Sequence, residues 1–129
     1  MVIDTSAIMA LLLKEPERDR IARSLAVAGG AKLSAGSWIE LGAVLTRRYD
    51  DLKSELGEAM ETFAIVIAPL TVEQAEIGHD AYRRFGIGSG HPARLNFGDC
   101  FAYALAKSLN EPLLFKGDDF AQTEVTPAP

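Results

Sequence analysis

The sequence predicts an α/β fold: a three-layer α/β/α sandwich with a mainly parallel central sheet. Three observations carry that expectation. Short, continuously apolar runs alternate with longer segments whose apolar residues recur at helical spacing. The runs lack a polar alternate position, as expected of strands covered on both faces. The chain is 129 residues long and 48% hydrophobic, enough for one domain over residues 1–129 with a core that needs no covalent staple.

Met1 to Ile3 is the first apolar run, closed by Asp4, Thr5 and Ser6, and Ala7 to Leu13 continues as an apolar helix. Pro16 suits a helix start, and Ile21, Leu25 and Ala28 form a stripe that Gly29 and Gly30 end. Ala31 to Ala35 is the second strand. Residues 37–48 form a helix on Trp38, Leu41, Val44 and Leu45 that reads as core, and residues 51–64 form one on Leu52, Leu56, Met60 and Phe63. Ile65 to Ala68 is the third strand. Thr71 with Gln74 is a capping box for a helix to about Phe85, with Ala75, Ala81, Tyr82 and Phe85 on its inner face. A loop with Gly86, Gly88, Gly90 and Pro92 comes next, before Asn96 opens an apolar helix over Phe97–Leu109. Pro112 to Phe115 is the fourth strand. Gly117, Asp118 and Asp119 turn the chain toward an edge strand near Thr123–Val125.

Cys100 is the only cysteine, which excludes an intramolecular disulfide and a Cys-rich zinc site and suits a reducing, cytoplasmic setting. No segment has the pattern of an export signal or the length of a membrane span, so no membrane role is expected. Thirteen basic residues against eighteen acidic ones give a net charge of −5, which on its face argues against a nucleic-acid partner.

The carboxylates alter that view. Asp4 is the only charge in the first thirteen residues, Glu40 the only one between Lys32 and Arg47, and Asp99 the only one between Arg94 and Lys107. Asp118 and Asp119 come after the last apolar strand. A carboxylate in apolar surroundings costs several kcal/mol unless a cation or hydrogen bonds offset it. One Mg²⁺, or Mn²⁺ in its place, would satisfy several together. Each also has a local reading: Asp4 as an N-cap, Asn96 and Asp99 as a capping pair, Asp118 as a turn cap, Glu40 on a narrow polar stripe. In a parallel α/β sheet the ligand crevice lies at the carboxyl ends of the strands, where these residues fall.

The series Asp4-Thr5-Ser6-Ala7, Trp38-Ile39-Glu40, Leu95-Asn96-Phe97-Gly98-Asp99-Cys100 and Lys116-Gly117-Asp118-Asp119-Phe120 resembles a PIN-domain ribonuclease of the VapC toxin type, over nearly the whole chain. The resemblance implies a single PIN-like nuclease domain that cleaves RNA with Mg²⁺. It gives Asp4, Glu40 and Asp99 the principal acidic positions, with the fourth from Asp118 or Asp119. Asp4 and Asp99 would hold the metal directly, and Glu40 with Asp118 or Asp119 would bind a second ion or orient water. It further implies a homodimer and a small VapB-like antitoxin, for which the helices at 5–13 and 16–28 offer apolar stripes.

Ser6 is a candidate partner for a ligand carboxylate or a phosphate, and Arg94 and Lys116 for RNA phosphates. Residues 50–80 carry eight acids against Lys53, whereas residues 83–116 carry five cations against two acids, a basic segment that would accept RNA. His91 could contact RNA, His79 reads as a surface residue and Cys100 as a buried one. Two other classes compete. A phospho-acceptor receiver domain would want adjacent acids after the first strand, where Thr5 succeeds Asp4, and a haloacid-dehalogenase-type phosphatase would want an Asp where Ser6 stands. An inactive PIN scaffold acting as a binding module is the third alternative.

Overall fold

The computed structural model describes residues 1–129. Four parallel strands, β1 (Val2–Ile3), β2 (Ala31–Ser34), β3 (Ile65–Ala68) and β4 (Leu113–Leu114), lie in the order β3-β2-β1-β4. The helices are α1 (Thr5–Leu12), α2 (Arg18–Ala28), α3 (Ala35–Arg48), α4 (Lys53–Thr62), α5 (Val72–Phe85) and α6 (Asp99–Leu109). The chain steps outward from β1 to β2 to β3, then returns to place β4 on the other side of β1. The strand order therefore reverses at β1, whose carboxyl end is the expected ligand crevice.

Side chains of β1 and β4 alternate between two cores. Ile3 and Leu114 join Ile8, Leu11, Ile21, Leu41 and Leu45 beneath α1 to α4, while Val2 and Leu113 join Phe85, Leu95, Tyr103 and Leu105 beneath α5 and α6. Each fully buried aliphatic side chain contributes roughly 1.5–3 kcal/mol. Gly36 lets α3 approach α6: a Cβ there would fall inside the Phe101 ring.

Several elements differ from expectation. No strand forms at Thr123–Val125. A turn of 3₁₀ helix spans Phe120–Gln122, and the edge of β4 is covered instead at Pro127, where Leu113 N–H donates to Thr126 O and Ala128 N–H donates to Leu113 O. Two prolines leave this tail few backbone donors, so it pairs for a single bridge. On α5 the buried residues are Gln74, Ala81 and Phe85, with Ala75 and Tyr82 turned outward. On α3, Trp38 and Ile39 are exposed rather than core, with only Gly36, Ser37, Leu41 and Leu45 buried. No helix is long and apolar enough to cross a membrane.

Candidate active site

Asp4 leaves β1 in extended conformation and caps α1, its Oδ2 accepting the Ser6 N–H at 2.9 Å. It is 2% exposed, and burial pushes its pKa up; hydrogen bonds from Ser6 and Thr5 pull it back and the Asp119 charge adds to the rise. The cap reading and the buried-acid reading therefore both hold, because one carboxylate oxygen caps and the other remains.

Glu40 stands in the second turn of α3, half-buried, with Oε1 accepting the Thr5 hydroxyl at 3.0 Å. Burial raises its pKa, Thr5 lowers it, and Asp4 raises it again. A Cβ on Gly98 would coincide with this carboxylate, so Glu40 rests on the bare backbone immediately before Asp99. Asp99 and Asn96 exchange hydrogen bonds: Asn96 N–H donates to Asp99 Oδ2 and Asp99 N–H donates to Asn96 Oδ1, both at 2.9 Å. Burial, opposed by the Asn96 hydrogen bond and joined by the charges of Asp4, Asp119 and Glu40, pushes Asp99 up to about 7.

The fold thus brings Asp4, Glu40, Asp99 and Asp119 together from four elements. Asp118 and Asp119 are both exposed; Asp119 is the member of the pair whose charge presses on Asp4 and Asp99, while the backbone carbonyl of Asp118 accepts the Ala121 N–H at 3.1 Å. Thr5 and Gly98 are not singled out by sequence. Their only signal is adjacency, one directly after Asp4 and the other directly before Asp99.

Ser6 Oγ accepts the Lys116 N–H at 3.0 Å, so it fastens the end of β4 to the start of α1, and its hydroxyl also helps hold Asp4 ionised. The Lys116 ammonium pairs with Glu15 and stands 3.9 Å from Glu17. Most other cations of the basic segment are paired as well. Arg83 and Arg84 pair with Asp80, Arg84 and Lys107 approach Glu124, and only Arg94 has no carboxylate partner. His79 is exposed, and His91 lies half-buried in the glycine loop. Burial pushes the Cys100 thiol up to about 11, which leaves it protonated and unsuited to nucleophilic attack.

None of the four clustered carboxylates has a Lys or Arg ion-pair partner. Their oxygen-only donor set fits a hard divalent cation. As the side chains stand, no three of them form a group that could hold one ion.

The family model described as PIN domain matches residues 1–125. Ribonuclease VapC28 of Mycobacterium tuberculosis is 48% identical over 126 residues, covering 97% of this chain and 95% of that protein. The crystal structure of Mycobacterium tuberculosis VapC20, a Sarcin-Ricin loop cleaving toxin, superposes with TM-score 0.74 at 18% identity, covering 99% and 98% of the two chains. A toxin–antitoxin complex from Klebsiella pneumoniae gives TM-score 0.67 at 17% identity over 93% of this chain and 89% of that one. At such identities the two structures speak to the fold, and the order β3-β2-β1-β4 is also unlike the 2-1-3-4-5 order of a receiver domain. With a full-length relative at nearly half identity, the chain belongs to the PIN-domain family and, within it, to the VapC ribonucleases.

Proposed function

We propose that this protein is the toxin of a toxin–antitoxin pair and cleaves single-stranded RNA in the cytoplasm with Mg²⁺, for which Mn²⁺ can substitute. The observation that carries this reading is the cluster of Asp4, Glu40, Asp99 and Asp119 at the reversal point of the sheet, without a protein cation to compensate it.

Asp4 and Asp99 would hold the ion, each with one oxygen fixed by a backbone N–H. When bound, the ion supplies an activated water and stabilises charge on the phosphoryl and leaving oxygens. Glu40, held by Thr5 and seated against Gly98, would orient the attacking water, and its raised pKa suits it to accept a proton. Asp119 completes the acidic ring. Digestion of single-stranded RNA in Mg²⁺ tests this reading. Wild type and Asp118→Asn are expected to cleave at similar rates, while EDTA, Asp99→Asn or Asp119→Asn lowers the rate at least a hundredfold, as loss of a charge-stabilising group does. Equal rates for Asp99→Asn and wild type would refute it.

Two surfaces suit the partners. The cleft between α1, α2 and α4, with Leu11, Leu12, Ala59 and Phe63 among its lining, fits the apolar residues of an antitoxin tail. The exposed apolar residues Trp38, Ile39, Leu70, Val72, Tyr82 and Phe97 are the proposed homodimer contact. Light scattering of the purified chain should give twice the monomer mass; a monomer at micromolar concentration would exclude that contact.

A further inference from the structure

The loop between α5 and α6 carries a surface suited to holding substrate, a role that rests on the ribonuclease reading. Arg94 is the one cation between Arg83 and Lys116 without a carboxylate partner, and it is exposed. Its backbone has φ 51°, in the left-handed region that favours glycine or asparagine over arginine. Such strain persists only where neighbours enforce it; Lys14, Ala64 and Asn110 share this region within two residues of a helix C-terminus, whereas Arg94 lies in a loop.

The neighbours do enforce it. Ala93 and Leu95 are 1% and 0% exposed. Leu95 N–H donates to Phe85 O at 2.8 Å, Ile87 N–H donates to Leu95 O at 3.0 Å, and Ala93 N–H donates to His91 Nδ1 at 3.1 Å. The guanidinium is thus carried on a fixed mount, and the chain from it to Asp99 is pinned by the Asn96–Asp99 exchange.

Arg94 also shares a concavity. It lines an open hollow with Ile87, Gly88, Gly90, His91 and Pro92, and no carboxylate contributes to it. Because His91 Nδ1 is an acceptor, the neutral ring carries its proton on Nε2 and donates from that edge. Its ring packs edge-on against Phe85 with centroids 4.8 Å apart, which fixes its direction. The charged and polar side chains of the hollow are therefore a cation and an N–H donor, the complement of a phosphodiester. The clustered acids repel an approaching polyanion, so a positive contact on the loop that leads into α6 has a clear use.

We propose that the hollow formed by residues 87–94 seats a backbone phosphate of the RNA substrate, with Arg94 as the main contact and His91 Nε2 as the second donor. The test uses the full chain carrying Asp99→Asn, so that RNA stays intact, and a fluorescein-labelled, mixed-sequence single-stranded RNA read by anisotropy across a KCl series. Adding Arg94→Gly should weaken binding about three- to tenfold and reduce the salt slope by roughly 0.7, the value of one lost phosphate contact on a single strand. The melting temperature should hold or rise, since glycine accepts φ 51° without strain. Arg94→Lys should keep most of the slope.

Unchanged affinity and slope in Arg94→Gly would overturn the proposal, including the case in which only binding of a protein partner is lost. The two readings separate cleanly in the otherwise wild-type chain. If it cleaves RNA and Arg94→Gly cleaves with the same KM, the phosphate seat alone fails. If it neither binds nor cleaves RNA in Mg²⁺, the ribonuclease reading fails and the phosphate seat with it.

Discussion

Gly98 shows how one atom decides a site. The Glu40 carboxylate occupies the place where a Cβ would be, so Gly98→Ala must push Glu40 aside. The displaced group is the end of a flexible side chain, so the expected cost in stability is below about 1 kcal/mol, while RNA cleavage should fall nearly as far as in Glu40→Gln. Parallel thermal melts and initial rates check this; a Gly98→Ala protein with full activity would mean that Glu40 does not act from that seat. Asp4, Glu40 and Asp99 are legible in the sequence because each is a lone charge in an apolar run. Gly98 and Thr5 are not, since a glycine and a hydroxyl leave no mark on hydrophobic patterning. Nor can Asp118 be told from Asp119, because adjacent turn residues share the same sequence context. Lys116 misleads because its partner Glu15 lies 101 positions away.

Among the elements, α6 bears most directly on the site, since its first turn carries Asp99. The reciprocal Asn96–Asp99 bonds both start the helix and aim the carboxylate. Asn96→Ala should therefore cost about 1 kcal/mol, the usual worth of an N-cap, and lower the melting temperature by roughly 3–6 °C in a chain of this size. Cleavage should fall less than in Asp99→Asn, because Asp99 Oδ2 keeps the Asn96 backbone N–H and only the Asp99 N–H loses its acceptor. A stable but slow variant would separate orientation from capping, and an unchanged melting temperature would show that the cap contributes nothing. The four parallel strands are legible from continuous apolar runs. The tail that covers β4 is not, because Thr126–Ala128 holds one bridge and reads as a proline-rich end. Sequence misplaces the inner face of α5 at Ala75 and Tyr82: Gln74 is buried there through a side-chain bond to Pro69 O, which hydrophobicity does not register.

For the whole molecule, the net charge of −5 and the basic segment over 83–116 need their three-dimensional partners to be understood. Asp80, Glu124, Glu15 and Glu17 pair with most of that segment, so under the proposed function affinity for RNA would rest on the metal site and a few local contacts. The clustered acids also set the response to pH. Asp4, Glu40 and Asp99 have pKa values raised above those of the unfolded chain, Asp99 to about 7, so they bind protons more tightly when folded. Their contribution to stability is complete below the ordinary carboxylate range and is lost as pH rises through about 7. Asp80, Glu111 and Glu124 are shifted the other way by their ion pairs: their stabilisation is present above the ordinary carboxylate range and lost only in acid, and solvent screening keeps it small. In EDTA, the melting temperature should fall by several degrees between about pH 5 and pH 8, and added Mg²⁺ should restore it at pH 8 far more than at pH 5. A flat profile in EDTA would mean that the acids are not strained in the folded chain.

The same four carboxylates make the central claim testable without any knowledge of the RNA target. Calorimetric titration of the purified chain with Mn²⁺ near pH 8 measures the site itself. Wild type should bind saturably, Asp99→Asn should bind at least tenfold more weakly as an oxygen ligand loses its charge, and Asp118→Asn should match wild type. Equal Mn²⁺ affinity in wild type and Asp99→Asn would contradict a metal site built on this cluster.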